Sequence, residues 1–225
     1  MKGYSFFDII GPIMIGPSSS HTAGAVKIAL AARIISGIGF VKVNYYLAGS
    51  FAKTYLGHGT DRALIGGSLG FMPDDERIKE AFTHAQKYGL EYNFIPIEDP
   101  SLHANTVIIE MKYPDGTITK VTGCSLGGGS MKITDINGDK VNYTGHYATL
   151  VIRYPDAKFV ISSITNILSN ADVNIEHIQT SHSDHSMVTL VIELSEPIDS
   201  KFIREISELE PIDSVNFIPP LIIRR

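Results

Sequence analysis

Between Gly16 and Gly24 the chain reads GPSSSHTAG: three consecutive serines, a histidine and a threonine, directly before an apolar helical pattern. The first N–H groups of a helix lack intrahelical acceptors and carry a partial positive charge, and Ser or Thr hydroxyls there either cap the helix or donate to an anion. Ser19, Ser20, His21 and Thr22 are therefore candidates for a carboxylate-binding turn. Capping by Ser20 or Thr22 would explain the hydroxyls but not the imidazole, which moves protons near neutrality. A second histidine, His58, lies in GHGTD at 57–61, where flanking glycines permit close approach to a ligand and the imidazole can act as a general base. Asp61 either orients that ring or caps the helix that follows. HAN at 103–105 puts His103 and Asn105 two apart at the mouth of a strand, on one face if the strand has already begun. Ser125 opens SLGGG at 125–129, a flexible turn able to approach a substrate, or a plain loop between hairpins. The other histidines read more simply: His84 as a surface group on a helix, and His177, His182 and His185 as matching no zinc spacing.

In this order, GPSSSHTAG after a Phe-Asp-rich opening, GHGTD, HAN and SLGGG resemble the landmarks of the β chain of bacterial iron-sulfur-dependent L-serine dehydratases, and they cover most of the first 130 residues. The resemblance implies conversion of L-serine to pyruvate and ammonia. The Cα proton and the β-hydroxyl leave, and the resulting enamine tautomerises and hydrolyses. Hydroxide leaves poorly, and the family uses an unligated iron of a 4Fe-4S cluster as Lewis acid. His58 is then expected to be the proton-abstracting base, with Ser19, Ser20, His21 and Thr22 at the carboxylate end and Asp61, His103, Asn105 and Ser125 as further substrate-side residues. One cysteine, Cys124, cannot hold a cluster that needs several thiolates. The cluster is accordingly expected on a partner α subunit, the pocket across the subunit interface, and the isolated chain inactive. No lysine sits in a recognisable pyridoxal-phosphate context. A rival resemblance, to the allosteric substrate-binding domain of some phosphoglycerate dehydrogenases, would make the chain a non-catalytic serine sensor. The dinucleotide turn Gly-x-Gly-x-x-Gly of those enzymes is not found after a strand here.

Periodicity outlines the elements that must position these groups. From Thr22, TAGAVKIALAARIISG predicts a helix with Ala23, Val26, Leu30 and Ile34 on one stripe, stopped by Gly37. VKVNYYLAG predicts a strand, and a second helix opens at Thr60 or Asp61. PDDERIKEAFTHAQKYG predicts the clearest helix, with Ile78, Ala81, Phe82 and Ala85 on one face. Residues 91 to 144 turn β-rich, with hairpins around Pro114-Asp115-Gly116 and Asn137-Gly138. ATLVIRY, KFVISSITNILSN, VNIEHIQTS, MVTLVIEL, SKFIREISELE and VNFIPPL then follow as β, α, β, β, α, β, the ferredoxin-like order. That order resembles the ACT domain, which commonly binds amino acids, although Tyr154-Pro155-Asp156-Ala157 lacks the glycine usual in its ligand loop. The expected fold class is α+β: a mixed substrate-binding domain at 1–147 and a ferredoxin-like ACT domain at 148–225 that folds separately and self-associates.

With 44% hydrophobic and 19% charged residues in 225, the chain has enough apolar surface for a packed core without staples. A net charge of -5 with scattered Lys and Arg argues against nucleic acid. Lys27 and Arg33 interrupt the longest apolar region, which argues against a membrane span. The opening MKGYSFFDIIGPIMIG is broken by Asp8 and Pro12 and has only Lys2 as a basic residue, unlike a secretory signal. A lone cysteine fits the reducing cytoplasm.

Overall fold

The computed structural model describes residues 13–182 and 186–221. Lys2, Asp8, Pro12, the Phe-Asp-rich opening and His185 lie outside the described residues. The chain divides into two compact units, residues 1–137 and 138–225.

In the first unit, a wide π-type turn over Ser19–Gly24 runs straight into helix α1, Ala25–Ser36. Every residue from Ala25 to Ala32 is buried, so α1 is a core helix enclosed on all sides rather than one with a single apolar stripe. Gly37 stops it, as expected. Strand β1 (Lys42–Ala48) follows, then a short helix α2 (Gly49–Thr54) that the sequence pattern does not predict. Helix α3 (Thr60–Leu69) packs on α1. Their closest approach is at Gly67, where a Cβ would stand 2.4 Å from the Val26 carbonyl oxygen, so only glycine lets the two backbones meet.

The helix expected over 73–89 is split. Glu76–Glu80 forms a 3₁₀ turn and only Ala81–Lys87 is α-helical, here α4. Asp75 caps the 3₁₀ turn by accepting from the Arg77 N–H, and Glu80 leaves the helical region at φ -116, ψ 28. Burying Ile78 together with Ala81 and Ala85 uses this break to bring residues of both turns onto the core.

The sheet of this unit is centred on β1, which pairs in parallel with β2 (Glu91–Ile97) and antiparallel with β3 (Thr106–Lys112). The β3, β4 (Ile118–Gly127) and β5 (Ser130–Ile136) strands continue as an antiparallel meander, giving the order β2-β1-β3-β4-β5. Alternate residues Val43, Tyr45 and Leu47 of β1, and Val107, Ile109 and Met111 of β3, are fully buried, the period of two expected of a strand with one covered face. α1 packs against β3, β4 and β5.

The second unit begins at Gly138, upstream of the 147/148 boundary read from the sequence. Strand β6 (Asp139–Tyr143) belongs with the later residues: Thr189 donates to Asp139 at 2.6 Å, and the Tyr143 hydroxyl donates to the Pro219 carbonyl at 3.1 Å. Then come β7 (Ala148–Pro155), α5 (Val160–Asn170), β8 (Ile175–His182), β9 (Met187–Leu194), α6 (Ser200–Ser207) and β10 (Ser214–Ile218). The strand order is β10-β7-β9-β8 with antiparallel neighbours throughout. This is the ferredoxin-like split βαβ arrangement. Leu150, Ile152, Leu190 and Ile192 of the sheet pack with Val160, Ile164 and Leu168 of α5 and Ile206 of α6. Among the described residues no helix is long and apolar enough to cross a membrane.

Candidate active site

The site is built outward from His21. The residue that caps the turn is Ser18, not Ser20 or Thr22: its backbone is extended (φ -139, ψ 126) and its hydroxyl accepts from the His21 N–H at 3.1 Å. The wide turn that follows shifts the helix start downstream and aims the His21 ring into a set of hydroxyls. Nδ1 lies 3.0 Å from Ser20 Oγ and 3.5 Å from Ser18 Oγ, and Nε2 lies 3.0 Å from Ser50 Oγ. The imidazole also meets Phe51 edge-on, with ring centroids 5.3 Å apart.

His58 stands beside it, the two imidazole centroids 4.8 Å apart and the rings tilted by 56°. Thr22 ties the two segments together by donating from Oγ1 to the His58 carbonyl at 3.0 Å. The His58 side chain is exposed, and Gly59 turns the chain through φ +68 into α3. Burial, and then the neighbouring His58, hold the His21 pKa below the ordinary histidine value. His21 is thus kept neutral at physiological pH, with both ring nitrogens within reach of hydroxyls.

Asp61 is buried, and its carboxylate accepts the Arg62 N–H at 2.8 Å. Of the two roles open to it, serving the first turn of α3 is the one with a contact. Burial is the main cause of its raised pKa. Its neighbour Thr60 is fully buried, with a hydroxyl that has no hydrogen-bond partner among the described residues.

His103 and Asn105 do not share a strand face, because β3 begins only at Thr106. They flank a turn in which His103 Nδ1 accepts the Asn105 N–H at 3.2 Å. This turn is fastened to the site through Ala104, whose carbonyl accepts from the N–H groups of Ser50 at 2.5 Å and Phe51 at 3.4 Å. The fit requires a glycine before Ser50: Gly49 has φ +58, and a Cβ there would lie 2.5 Å from the Ala104 oxygen.

Ser125 lies at the back of the arrangement. It is fully buried, receives the Gly24 backbone against its hydroxyl, and donates its own N–H to the Asn105 carbonyl at 3.0 Å. Its contacts thus bridge the 103–105 turn and the start of α1.

Sequence reasoning missed Ser18, Ser50 and Phe51. The signal for Ser50 was a Gly-Ser pair directly after β1, where a helix N-terminus can form, but the strand pattern drew attention past it. His84 is half-buried and meets Phe71 edge-on at 5.4 Å rather than lying on the surface. His177 is exposed beside Tyr147.

Among the described residues no group of three His, Cys, Asp or Glu side chains is placed to hold a metal ion. Cys124 is buried and burial raises its pKa, the opposite of what a thiolate ligand needs. The donor set among the described residues does not fit an iron-sulfur cluster.

The sequence model of the family "Serine dehydratase beta chain" matches residues 5–135. The chain is 43% identical over 220 residues to the L-serine dehydratase, beta chain, of Peptoniphilus asaccharolyticus, covering 97% of this chain and 99% of that one. It is 39% identical over 219 residues to the probable L-serine dehydratase, beta chain, of Bacillus subtilis (strain 168), with 97% and 99% covered. L-serine dehydratase 2 of Escherichia coli (strain K12) is 31% identical over 161 residues, which are 65% of this chain but only 32% of that protein. The family match spans all the segments that meet around His21, and relatives align almost end to end: the chain belongs to the serine dehydratase β chain family.

Proposed function

We propose that this chain is the β subunit of an L-serine dehydratase and that its His21–His58 pair handles the proton removed from the substrate Cα. The observation that carries the reading is this pair of imidazoles, 4.8 Å apart at a hydroxyl-rich turn leading into a helix. An amino acid presents a carboxylate and an acidic Cα–H, and the turn and the imidazoles are the matching groups. Ser19 and Ser20 take the carboxylate end, while Thr22, buried and donating to the His58 carbonyl, holds the turn to the His58 segment. His58 is exposed and accepts the Cα proton, while His21, kept neutral and hydroxyl-bound, orients the substrate beside it. His103 and Asn105 border the pocket, and Asp61 and Ser125 hold it from within the fold. After loss of the proton and the β-hydroxyl, the enamine tautomerises to an imine, and water releases pyruvate and ammonia.

The 4Fe-4S cluster belongs to a partner α subunit, and the pocket is completed where that subunit docks. The described residues lack a donor set for it, and the E. coli relative is much longer than the part this chain matches. The ferredoxin-like residues at 148–225 serve as an ACT-type regulatory domain through which the chain self-associates. The complex works in the cytoplasm.

The test is anaerobic co-purification with the α subunit followed by a serine-to-pyruvate assay. The isolated chain should carry no stoichiometric iron and form no pyruvate. In the complex, His58→Ala should lower kcat by about a hundred- to ten-thousand-fold, the usual contribution of a general base, with iron content and assembly intact. Exchange of the substrate Cα proton with solvent should fall in parallel. Near-normal turnover in this variant would move the base to His21 or His103. A complex that binds serine without turning it over would instead support the serine-sensor reading.

A further inference from the structure

Lys27 lies in the first turn of α1, just after the serine-rich turn, and is only 9% exposed. Its ammonium donates to the Gly129 carbonyl at 2.7 Å, joining residues 102 apart in sequence. Among the described residues no carboxylate neutralises it, and burial pulls its pKa below the ordinary lysine value. Burying an ammonium without a counter-charge is costly, and an apolar residue would pack here at no such cost. The group it holds is the tip of the β4–β5 hairpin: Ser125 to Gly127 of SLGGG belong to β4 rather than to a flexible turn, and Gly128 and Gly129 make the connection to β5. Gly127, Gly128 and Gly129 all lie in the left-handed region, at φ +93, +58 and +76, so these three positions have no side chains to define the shape of the chain there. α1 grips the turn at both ends: Gly24 sits against Ser125 at its start and Lys27 binds Gly129 at its close.

We infer that Lys27 is a positioning residue for the dehydration, clamping the 125–129 turn to α1 and setting a fixed positive charge behind the carboxylate-binding turn. The inference rests on the reading of residues 18–22 as the carboxylate end. The ammonium has three donors, and among the described residues only the Gly129 carbonyl accepts from it, so its charge is only partly satisfied there. Gly24 and Lys27 are three residues apart, about 4.5 Å along the helix axis, so this charge adds to the helix N-terminus in drawing an anion.

The test compares wild type, Lys27→Met and Lys27→Arg in the reconstituted complex. Lys27→Met should raise KM for L-serine about ten- to a hundred-fold, the range for losing a charged hydrogen bond, with a smaller change in kcat. Lys27→Arg, which keeps the charge and can reach the carbonyl, should restore most of the affinity. A wild-type KM in Lys27→Met overturns the inference, as does a parallel loss of kcat and active protein that arginine does not repair. Amide exchange at Gly127 to Ser130 in the isolated chain is the second readout. It should be faster in Lys27→Met and slow again in Lys27→Arg, and unchanged exchange overturns the clamp. If the wild-type complex leaves serine untouched, the proposed function fails while the exchange measurement still decides the clamp.

Discussion

Gly24→Ala tests whether the first and last of the sequence landmarks are physically one structure. Gly24 is helical, at φ -62 and ψ -44, so its backbone accepts alanine without strain and helix propensity alone favours the change by about 1 kcal/mol. A Cβ there would stand 2.2 Å from Ser125 Oγ and 2.8 Å from Ser125 Cβ. Comfortable contact needs about 3.5–4.0 Å, so α1 and β4 must separate by on the order of 1 Å. Ser125 is fully buried on a paired strand and has little room to yield. Overpacking of this kind costs roughly 1–3 kcal/mol, and with contacts this short the upper end applies, a net loss of about 2 kcal/mol after the helix gain. Ser125→Gly removes both clashing atoms while the helix gain remains, so the double variant should recover the whole overpacking cost, about 3 kcal/mol, relative to the sum of the singles. The chain has no tryptophan and 10 tyrosines, so urea denaturation is followed by far-UV circular dichroism and tyrosine fluorescence. A coupling below about 0.5 kcal/mol would mean that the two motifs are not in contact, and the account of the site's floor would be wrong.

Two further outcomes follow from particular contacts. Because burial and His58 lower the His21 pKa, the unfolded chain takes up that proton before the folded one; stability should therefore fall as pH drops through about 6.5, and His21→Gln should flatten that slope between pH 7 and 5 in denaturation midpoints. In the second unit, Asp139→Ala removes the buried acceptor of Thr189, at 2.6 Å, and the carboxylate 3.8 Å from Arg153; it should cost about 2–4 kcal/mol, with Asp139→Asn milder, and a loss under about 0.5 kcal/mol would show the contact to be idle.

The second unit was the more legible half. Val160, Ile164, Ile167 and Leu168 recur at helical spacing within KFVISSITNILSN and all four are buried, because a two-layer unit imposes one clean stripe on each helix. The stripe read for α1, Ala23, Val26, Leu30 and Ile34, did not mark its buried side, because this alanine-rich helix is buried throughout Ala25 to Ala32 while Ile34 is only half-buried. α2 escaped notice since six residues are too few for a periodic signal, and its first N–H groups depend on Ala104, about fifty positions later in the chain. The landmark motifs were visible as strings of reactive residues, but which hydroxyls meet His21 depends on a π-type turn that no residue pattern announces. Lys27 was the least legible. In the sequence it breaks an apolar run and argues against a membrane span; in the fold it is among the buried residues.

The contacts under the serine-rich turn also bear on when this site can form during synthesis. The turn, both imidazoles and the 103–105 segment have all been synthesised before β5 is translated, yet Gly24 and Lys27 wait for Ser125 and Gly129. Closing loops of about a hundred residues is entropically expensive and slow compared with forming local helices and hairpins. Nascent chains ending before residue 130 should therefore hold helix α1 without a floor, exposing its alanine-lined surface to chaperones. The histidine pair should lock into register only when the β4–β5 hairpin arrives, which makes that hairpin the last piece of the first unit to be committed rather than an appendage to it.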